Sequence, residues 1–169
     1  MKINKTNAAR LLDKAKISYE LIPYEVDENN LAATHVAEQL SEDIQCVFKT
    51  LVLEGDKTGY FVCVIPGDRE VDLKRAAKAS ANKKADLIPM KELLSVTGYI
   101  RGGCSPIGMK KNFPTFIHSS CLKFPHIYIS AGIRGLQIKI SPQHLIQFTR
   151  ATAVSYTHLR AHETVLDLV

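Results

Sequence analysis

Residues 101–111 hold the densest group of chemistry-bearing residues in the chain: Arg101, Gly102, Gly103, Cys104, Ser105, Pro106, Ile107, Gly108, Met109, Lys110 and Lys111. Glycine lacks the Cβ that keeps a backbone away from a ligand and reaches positive φ freely, while Pro106 stiffens the segment. Successive amide N–H groups turned into a concavity bind an anion or a carbonyl oxygen, and Arg101, Lys110 and Lys111 add positive field beside it. The stretch is not a P-loop, which needs Lys followed by Ser or Thr directly after its last glycine, where this chain has Met109. A turn-rich surface loop with solvated lysines has the same composition, and the residues alone leave both readings open.

Lys49 is the second oddity. It interrupts Val47-Phe48-Lys49-Thr50-Leu51-Val52-Leu53, a run otherwise suited to the centre of a sheet. Pattern alone favours an outward lysine whose stem snorkels along apolar neighbours.

Other chemistries lack the necessary spacing. No Ser, His and Asp triad and no paired carboxylates stand at recognisable positions. His35, His118, His126 and His144 share no ligand spacing; His158 and His162 are four apart, but Leu159 occupies the place of the glutamate that the metalloprotease helix requires. The four cysteines form no Cys-x-x-Cys pair, so reduced thiols are expected, with Cys63 as a small buried hydrophobe. No metal and no cofactor are expected.

These residues must be positioned by alternating helices and strands. Helical spacing over 6–16, with Asn4 or Thr6 as cap, precedes a half-buried strand over 17–22 ended by Pro23. Thr34 caps a short helix to residue 40. Strands over 47–53 and 59–65 are joined by hairpin chemistry at 54–58. Asp72 caps a helix to residue 80, a short strand covers 85–88, and Pro89 opens a helix over 90–95 that Gly98 ends. Strands over 115–118, 126–130 and 136–140 follow, then a helix from Pro142 to about residue 150.

A chain of 169 residues can bury a core without disulfides, and one domain is expected. Hydrophobic residues make up 46% and the mean hydropathy is -0.04, with no apolar run near the ~20 residues that span a bilayer. No secretory signal is visible, so a cytoplasmic location with no membrane partner is expected. A net charge of +5 permits a polyanionic partner; Lys74, Arg75 and Lys78, then Lys83 and Lys84, also fit solvated faces.

The run Thr97-Gly98-Tyr99-Ile100-Arg101-Gly102-Gly103-Cys104-Ser105-Pro106-Ile107-Gly108-Met109-Lys110-Lys111 is similar to the signature loop of the YbaK/EbsC family, aminoacyl-tRNA deacylases related to the editing domain of bacterial prolyl-tRNA synthetase. Three more blocks agree in order and spacing: Phe48-Lys49-Thr50-Leu51; Val71-Asp72-Leu73-Lys74 with Ala76-Ala77-Lys78; and the run from Ile127 through Ser130, Gly132 and Arg134 to Leu136. The resemblance reaches from near the N-terminus to about Arg150. It implies a single α/β domain in which a mixed, strongly curved, barrel-like sheet is surrounded by helices, with Lys49 and the 101–111 loop facing one cleft.

The resemblance further implies that Lys49 is essential, anchoring the terminal adenosine's phosphate or the amino-acid end. The amides of Gly102 and Gly103 would hold the carbonyl oxygen or the terminal ribose. Ser130 and Gly132 line the opposite wall, Tyr24 lies at the pocket mouth or packs at a sheet edge, and Thr50, Ser105, Pro106, Gly108 and Lys110 complete substrate binding. Cys104 is expected to pack, because the family tolerates aliphatic residues there. Gln137, where a relative has an acidic residue, and Ala32, near where an aromatic closes the pocket, are departures that leave amino-acid selectivity open.

The activity so implied is trans-editing of mischarged aminoacyl-tRNA, chiefly Cys-tRNA(Pro) and also Cys-tRNA(Cys), with the substrate's thiol as nucleophile and prolyl-tRNA synthetase as a transient partner. A hydrolytic Ala- or Ser-tRNA deacylase and a non-catalytic tRNA-acceptor-binding module are the alternatives. The domain is expected to span residues 1–153. Residues 154–169 look like translated cloning sequence, and truncation after 150–153 is expected to be harmless.

Overall fold

Thr6 starts helix α1 (Asn7–Lys14) by accepting a hydrogen bond from Ala9 N–H at 3.3 Å, and Ala8, Ala9 and Leu12 form its buried stripe. The computed structural model describes residues 4–155 and the backbone of 157–158. The first strand, β1 (Glu20–Pro23), is shorter than its alternating pattern and keeps Pro23 as its last residue. In helix α2 (Ala33–Leu40) Ala32 holds the N-cap without a side-chain bond, so Thr34 falls inside the helix instead of capping it. Strands β2 (Phe48–Gly55) and β3 (Gly59–Pro66) form the expected hairpin.

Strand β4 (Glu70–Val71) leads to helix α3 (Leu73–Ala79), where Asp72 Oδ1 accepts from Arg75 N–H at 3.1 Å. After β5 (Ala85–Leu87), the helix expected from Pro89 divides into a 3-10 turn (Met90–Glu92) and α4 (Leu93–Thr97), closed by Gly98 at φ +87°. Then come β6 (Thr115–His118), β7 (Ile127–Ser130), β8 (Leu136–Ile140) and helix α5 (Pro142–Thr149), capped by Ser141 Oγ accepting from His144 N–H. Strands β9 (Thr152–Val154) and β10 (Thr157–His158) follow, too short for any periodicity to announce them.

The fold is mixed α/β. Five strands run in the order β5-β2-β3-β6-β9, three in the order β1-β8-β7, and β10 pairs with β4. The pairs β3/β6 and β6/β9 are parallel and the rest are antiparallel. The larger core lies between the two main sheets, where Phe48, Val52, Val62 and Val64 meet Ile129, Ile138 and Ile140 with Leu12 and Ile107. Each such fully buried aliphatic side chain contributes roughly 1.5–3 kcal/mol. A second core, Leu53, Phe61, Cys63 and Ile65, lies with Ala76 and Ala77 of α3 on the opposite face of the hairpin.

The barrel-like closure expected from the resemblance is not reached among the described residues. Between the two main sheets only one bridge forms, Val47 to Tyr128. β5 covers Leu53–Gly55 of β2 and Ile88 N–H reaches Val52 O, so residues 48–51 keep one edge open among the described residues. The cleft described below opens along that edge.

The expected tail beyond residue 153 falls mostly outside the described residues. Within them, Val154 completes β9 opposite His118 and packs on the second core, Ala151 is buried in the first, and Arg75 Nη1 donates to Ser155 O at 3.3 Å. A chain ending at Arg150 therefore loses about 1–3 kcal/mol relative to one ending at Ser155, roughly 3–10 °C in Tm for a domain of this size. Equal melting temperatures for the two chains would remove any structural role for β9.

Candidate active-site cleft

A cleft of about 480 Å³ follows the open edge of β2. Alternation sends Phe48 and Val52 into the first core and Leu51 and Leu53 toward the second, which places Thr50 with the former and Lys49 with the latter. All of residues 48–52 nevertheless line the cleft, because it opens on the strand's edge and not on one face. Main-chain groups alternate in the same way. Gly67 N–H donates to Val47 O (2.8 Å) from the β3 side, and Ile88 N–H donates to Val52 O (3.1 Å) from the other. Even-numbered residues of β2 thus direct N–H and C=O away from β3, which turns those of Thr50 toward the cleft.

Lys49 pairs across the hairpin with Ile65 and lies half-buried at the cleft wall. Burial holds its ammonium below the ordinary 10.5, opposed by the negative fields of Glu70 and Asp68. Among the described residues no carboxylate comes within ion-pair distance of it. Such an ammonium is available to a ligand's anionic or developing negative charge.

Two further groups await a partner. Thr50 Oγ1 and Gln137 Oε1 are buried and make no hydrogen bond among the described residues, although both residues line the cleft. A buried polar atom left unpaired costs about 1–3 kcal/mol, and a ligand that pairs with it recovers that penalty. Ser130, opposite Gln137 in the β7–β8 register, also lines the cleft, but its Oγ accepts from Gly132 N–H at 3.1 Å and shapes the following turn.

The glycine-rich stretch begins with a turn in which Gly103 N–H donates to Ile100 O at 3.0 Å. Gly102 sits at its third position with φ +83°, the conformation a type II turn demands. The sequence offered two amides for a ligand oxygen, and the fold leaves one. Gly103 N–H is consumed by the turn, and its Cα is pressed against Ile133, whose backbone a Cβ would meet at 3.1 Å. Gly102 lines the cleft, and its N–H has no partner among the described residues.

Other expected site residues do not line the cleft. Ser105 is wholly buried and its Oγ accepts from Ile107 N–H at 3.2 Å. Pro106 is half-buried beside it. Gly108 and Gly132, at φ +80° and +106°, make room for Tyr99, so their close approach is to a protein side chain. Lys110 reaches back along α4, donating from Nζ to Ser95 O at 3.3 Å. Tyr24 packs beside Val36 and Ala37, and its N–H donates to Gly135 O at 2.9 Å.

Cys104 does line the cleft, but burial pushes its thiol up to about 12, so it is protonated at neutral pH and packs. His118 is remote from the lining, and burial holds it down to about 4. Among the described residues no three His, Cys, Asp or Glu side chains gather as metal ligands, and no helix is long and apolar enough to cross a membrane. The apolar walls, Leu31, Ala33 and Val36 on one side and Leu87, Met90 and Leu93 on the other, went unrecognised in the sequence because ordinary helix and strand residues supply them.

Comparison with known proteins agrees with this architecture. Residues 27–148 match the profile of the aminoacyl-tRNA editing domain. A protein of Enterococcus faecalis (strain ATCC 700802 / V583) named "Putative Cys-tRNA(Pro)/Cys-tRNA(Cys) deacylase EbsC" is 46% identical over 153 residues, covering 90% of this chain and 93% of its own. Two crystal structures share the fold. One, of a hypothetical protein, has a TM-score of 0.80 at 20% identity, covering 88% of this chain and 97% of its own. The other, of a "putative trans-editing enzyme for prolyl tRNA synthetase", has 0.77 at 19%, covering 89% and 97%.

Proposed function

Because the chain belongs to the aminoacyl-tRNA editing domain family, we propose that it is a trans-editing deacylase that clears cysteine from tRNA(Pro) and also from tRNA(Cys). What carries this reading is the make-up of the cleft: a half-buried lysine, one free loop amide and two unpaired polar side chains, with no activated protein nucleophile among the described residues lining it. A site of that kind positions and polarises, and leaves the attack to the substrate.

In the reaction, the ester carbonyl oxygen lies against Gly102 N–H, which stabilises the charge that develops as the carbonyl becomes tetrahedral. The cysteine thiol, with a pKa of roughly 8.5, loses its proton and attacks that carbonyl carbon. The new C–S bond closes a cyclic thioester, the ester C–O bond breaks, and the released ribose oxygen takes up a proton. Water later opens the thioester to free cysteine. Lys49 holds the terminal phosphate or the amino-acid end in the reactive pose. Thr50 and Gln137 offer hydrogen bonds to the amino acid, and Ser130 shapes the wall beside them. The enzyme acts alone on released tRNA or in a transient complex with prolyl-tRNA synthetase.

The deciding experiment is deacylation of a panel of charged tRNAs by the purified chain. Cys-tRNA(Pro) should be cleared at least about 100-fold faster than Pro-tRNA(Pro), a margin near the limit of discrimination by pocket size alone. Failure to clear cysteine from any tRNA would end the proposal.

A further inference from the structure

Arg134 lies in the turn between β7 and β8 and does not line the cleft, yet its guanidinium joins two of the segments that do. Nε donates to Arg101 O at 2.9 Å, and Nη1 pairs with Glu28 Oε2 at 2.5 Å. Glu28 belongs to the strap that runs on to Leu31, Ala32 and Ala33 at the cleft wall. The three parts meet at Gly102, where a Cβ would find Arg134 Nε at 3.3 Å, Arg134 Cγ at 3.4 Å and Leu31 Cδ2 at 3.5 Å.

The Arg101 carbonyl is no ordinary acceptor. It belongs to the central peptide of the Ile100 to Gly103 turn, closed by Gly103 N–H on Ile100 O. Type I and type II turns share that closing bond. They differ in the central peptide, turned over by about 150–170° in the dihedrals on its two sides. Since C=O and N–H of a trans peptide point in opposite directions, a bond that holds Arg101 O also sets the direction of Gly102 N–H. Glycine at the third position makes both forms accessible, so the turn needs an outside contact to stay in one.

We propose that Arg134 is a positioning residue: it locks the Arg101–Gly102 peptide in the type II orientation, keeps Gly102 N–H aimed into the cleft, and through Glu28 ties the strap to the same point. The catalytic consequence rests on the function proposed above, in which Gly102 N–H receives the substrate carbonyl. Lysine does not replace arginine here. The guanidinium fork fills two acceptors in fixed directions, whereas an ammonium on a flexible stem holds one loosely.

The test combines single-turnover deacylation of Cys-tRNA(Pro) with amide NMR on wild type, Arg134→Ala and Arg134→Lys. The expected result for both variants is a fall of about 30- to 100-fold in the chemical rate, the scale of a misdirected oxyanion donor, with tRNA affinity within about threefold of wild type. The Gly102 and Gly103 amide signals should shift or broaden. A rate within about threefold of wild type overturns the proposal. So does a defect confined to affinity and restored by Arg134→Lys, which would make Arg134 a phosphate contact. If wild type deacylates nothing, the proposed function fails and the lock is judged by the amide signals alone, which must change in Arg134→Ala. If that variant does not fold, Arg134→Lys is read by the same criteria.

Discussion

Replacing Lys49 by alanine lowers kcat for Cys-tRNA(Pro) deacylation by about 10²- to 10³-fold, the effect of removing one preorganised charge from a partly water-excluded site. The fold should survive. Lys49 sits on the open edge of β2, belongs to neither hydrophobic core, and makes no ion pair among the described residues. Its depressed pKa fixes the sign of the stability effect. The folded state disfavours the ammonium, so a penalty is present at pH values below the folded pKa and is relieved as pH rises through it toward the unfolded 10.5. Near neutral pH the relief of that penalty offsets packing lost with the lysine stem, so the alanine variant should melt close to wild type.

Activity has the matching pH signature. An alkaline limb governed by Lys49 should begin below 10.5 and vanish in the variant's residual rate. Lys49→Arg should not restore activity, because a planar guanidinium does not reproduce a compact ammonium at a half-buried edge. A kcat for Lys49→Ala within about threefold of wild type would withdraw the assigned role.

Cysteinyl-tRNA should be cleared about 10³-fold or more faster than seryl-tRNA on the same tRNA body, because a thiol of pKa near 8.5 supplies thiolate at neutral pH and a hydroxyl supplies almost no alkoxide. Pocket fit does not produce such a gap. Exchanging sulfur for oxygen changes volume slightly, and hydrophobic-pocket discrimination on that scale is worth roughly 10–200-fold. Alanyl-tRNA is smaller and carries no side-chain nucleophile, so it should be cleared no faster than the seryl substrate. The cysteinyl rate should also climb with pH up to about 8.5, as the thiol ionises, while the alanyl rate shows no such rise. Similar rates on cysteinyl- and alanyl-tRNA would mean that water attacks, and the reaction would be hydrolytic.

Much of this molecule is decided locally and was open to reading. Thr6 and Asp72 cap their helices as expected, because a short oxygen-bearing side chain just before a helix satisfies its free N–H groups; Ser141 does the same before Pro142, whereas Thr34 does not because α2 begins one residue before it. β6 matches its apolar run residue for residue, and Gly98 ends α4 in the left-handed conformation that favours glycine. Lys49 stands out because a charge inside an apolar strand is conspicuous in one dimension, and it lines the same cleft as Gly102.

What the chain's order by itself left undetermined is who occupies each close approach. A glycine reports positive φ or a near neighbour, but the neighbour can be a ligand or the protein. At Gly108 and Gly132 it is Tyr99, at Gly103 it is Ile133, and at Gly102 it is Arg134 and Leu31, although Gly102 also lines the cleft and its N–H has no partner among the described residues. Whether a hydroxyl or amide is satisfied is likewise settled by the partners that the backbone folding around it supplies. Ser105 and Ser130 find theirs in their own turns, while Thr50 and Gln137, brought to one cleft by β2 and β8, do not. The open edge of β2 depends on β5 stopping at Leu87 and on the single bridge at Val47. Sequence periodicity determined the longer strands, while β4, β9 and β10 exist only through their pairing. Long-range pairing decided which edge stays free to receive a ligand, because an edge is a relation between strands and no residue carries it alone.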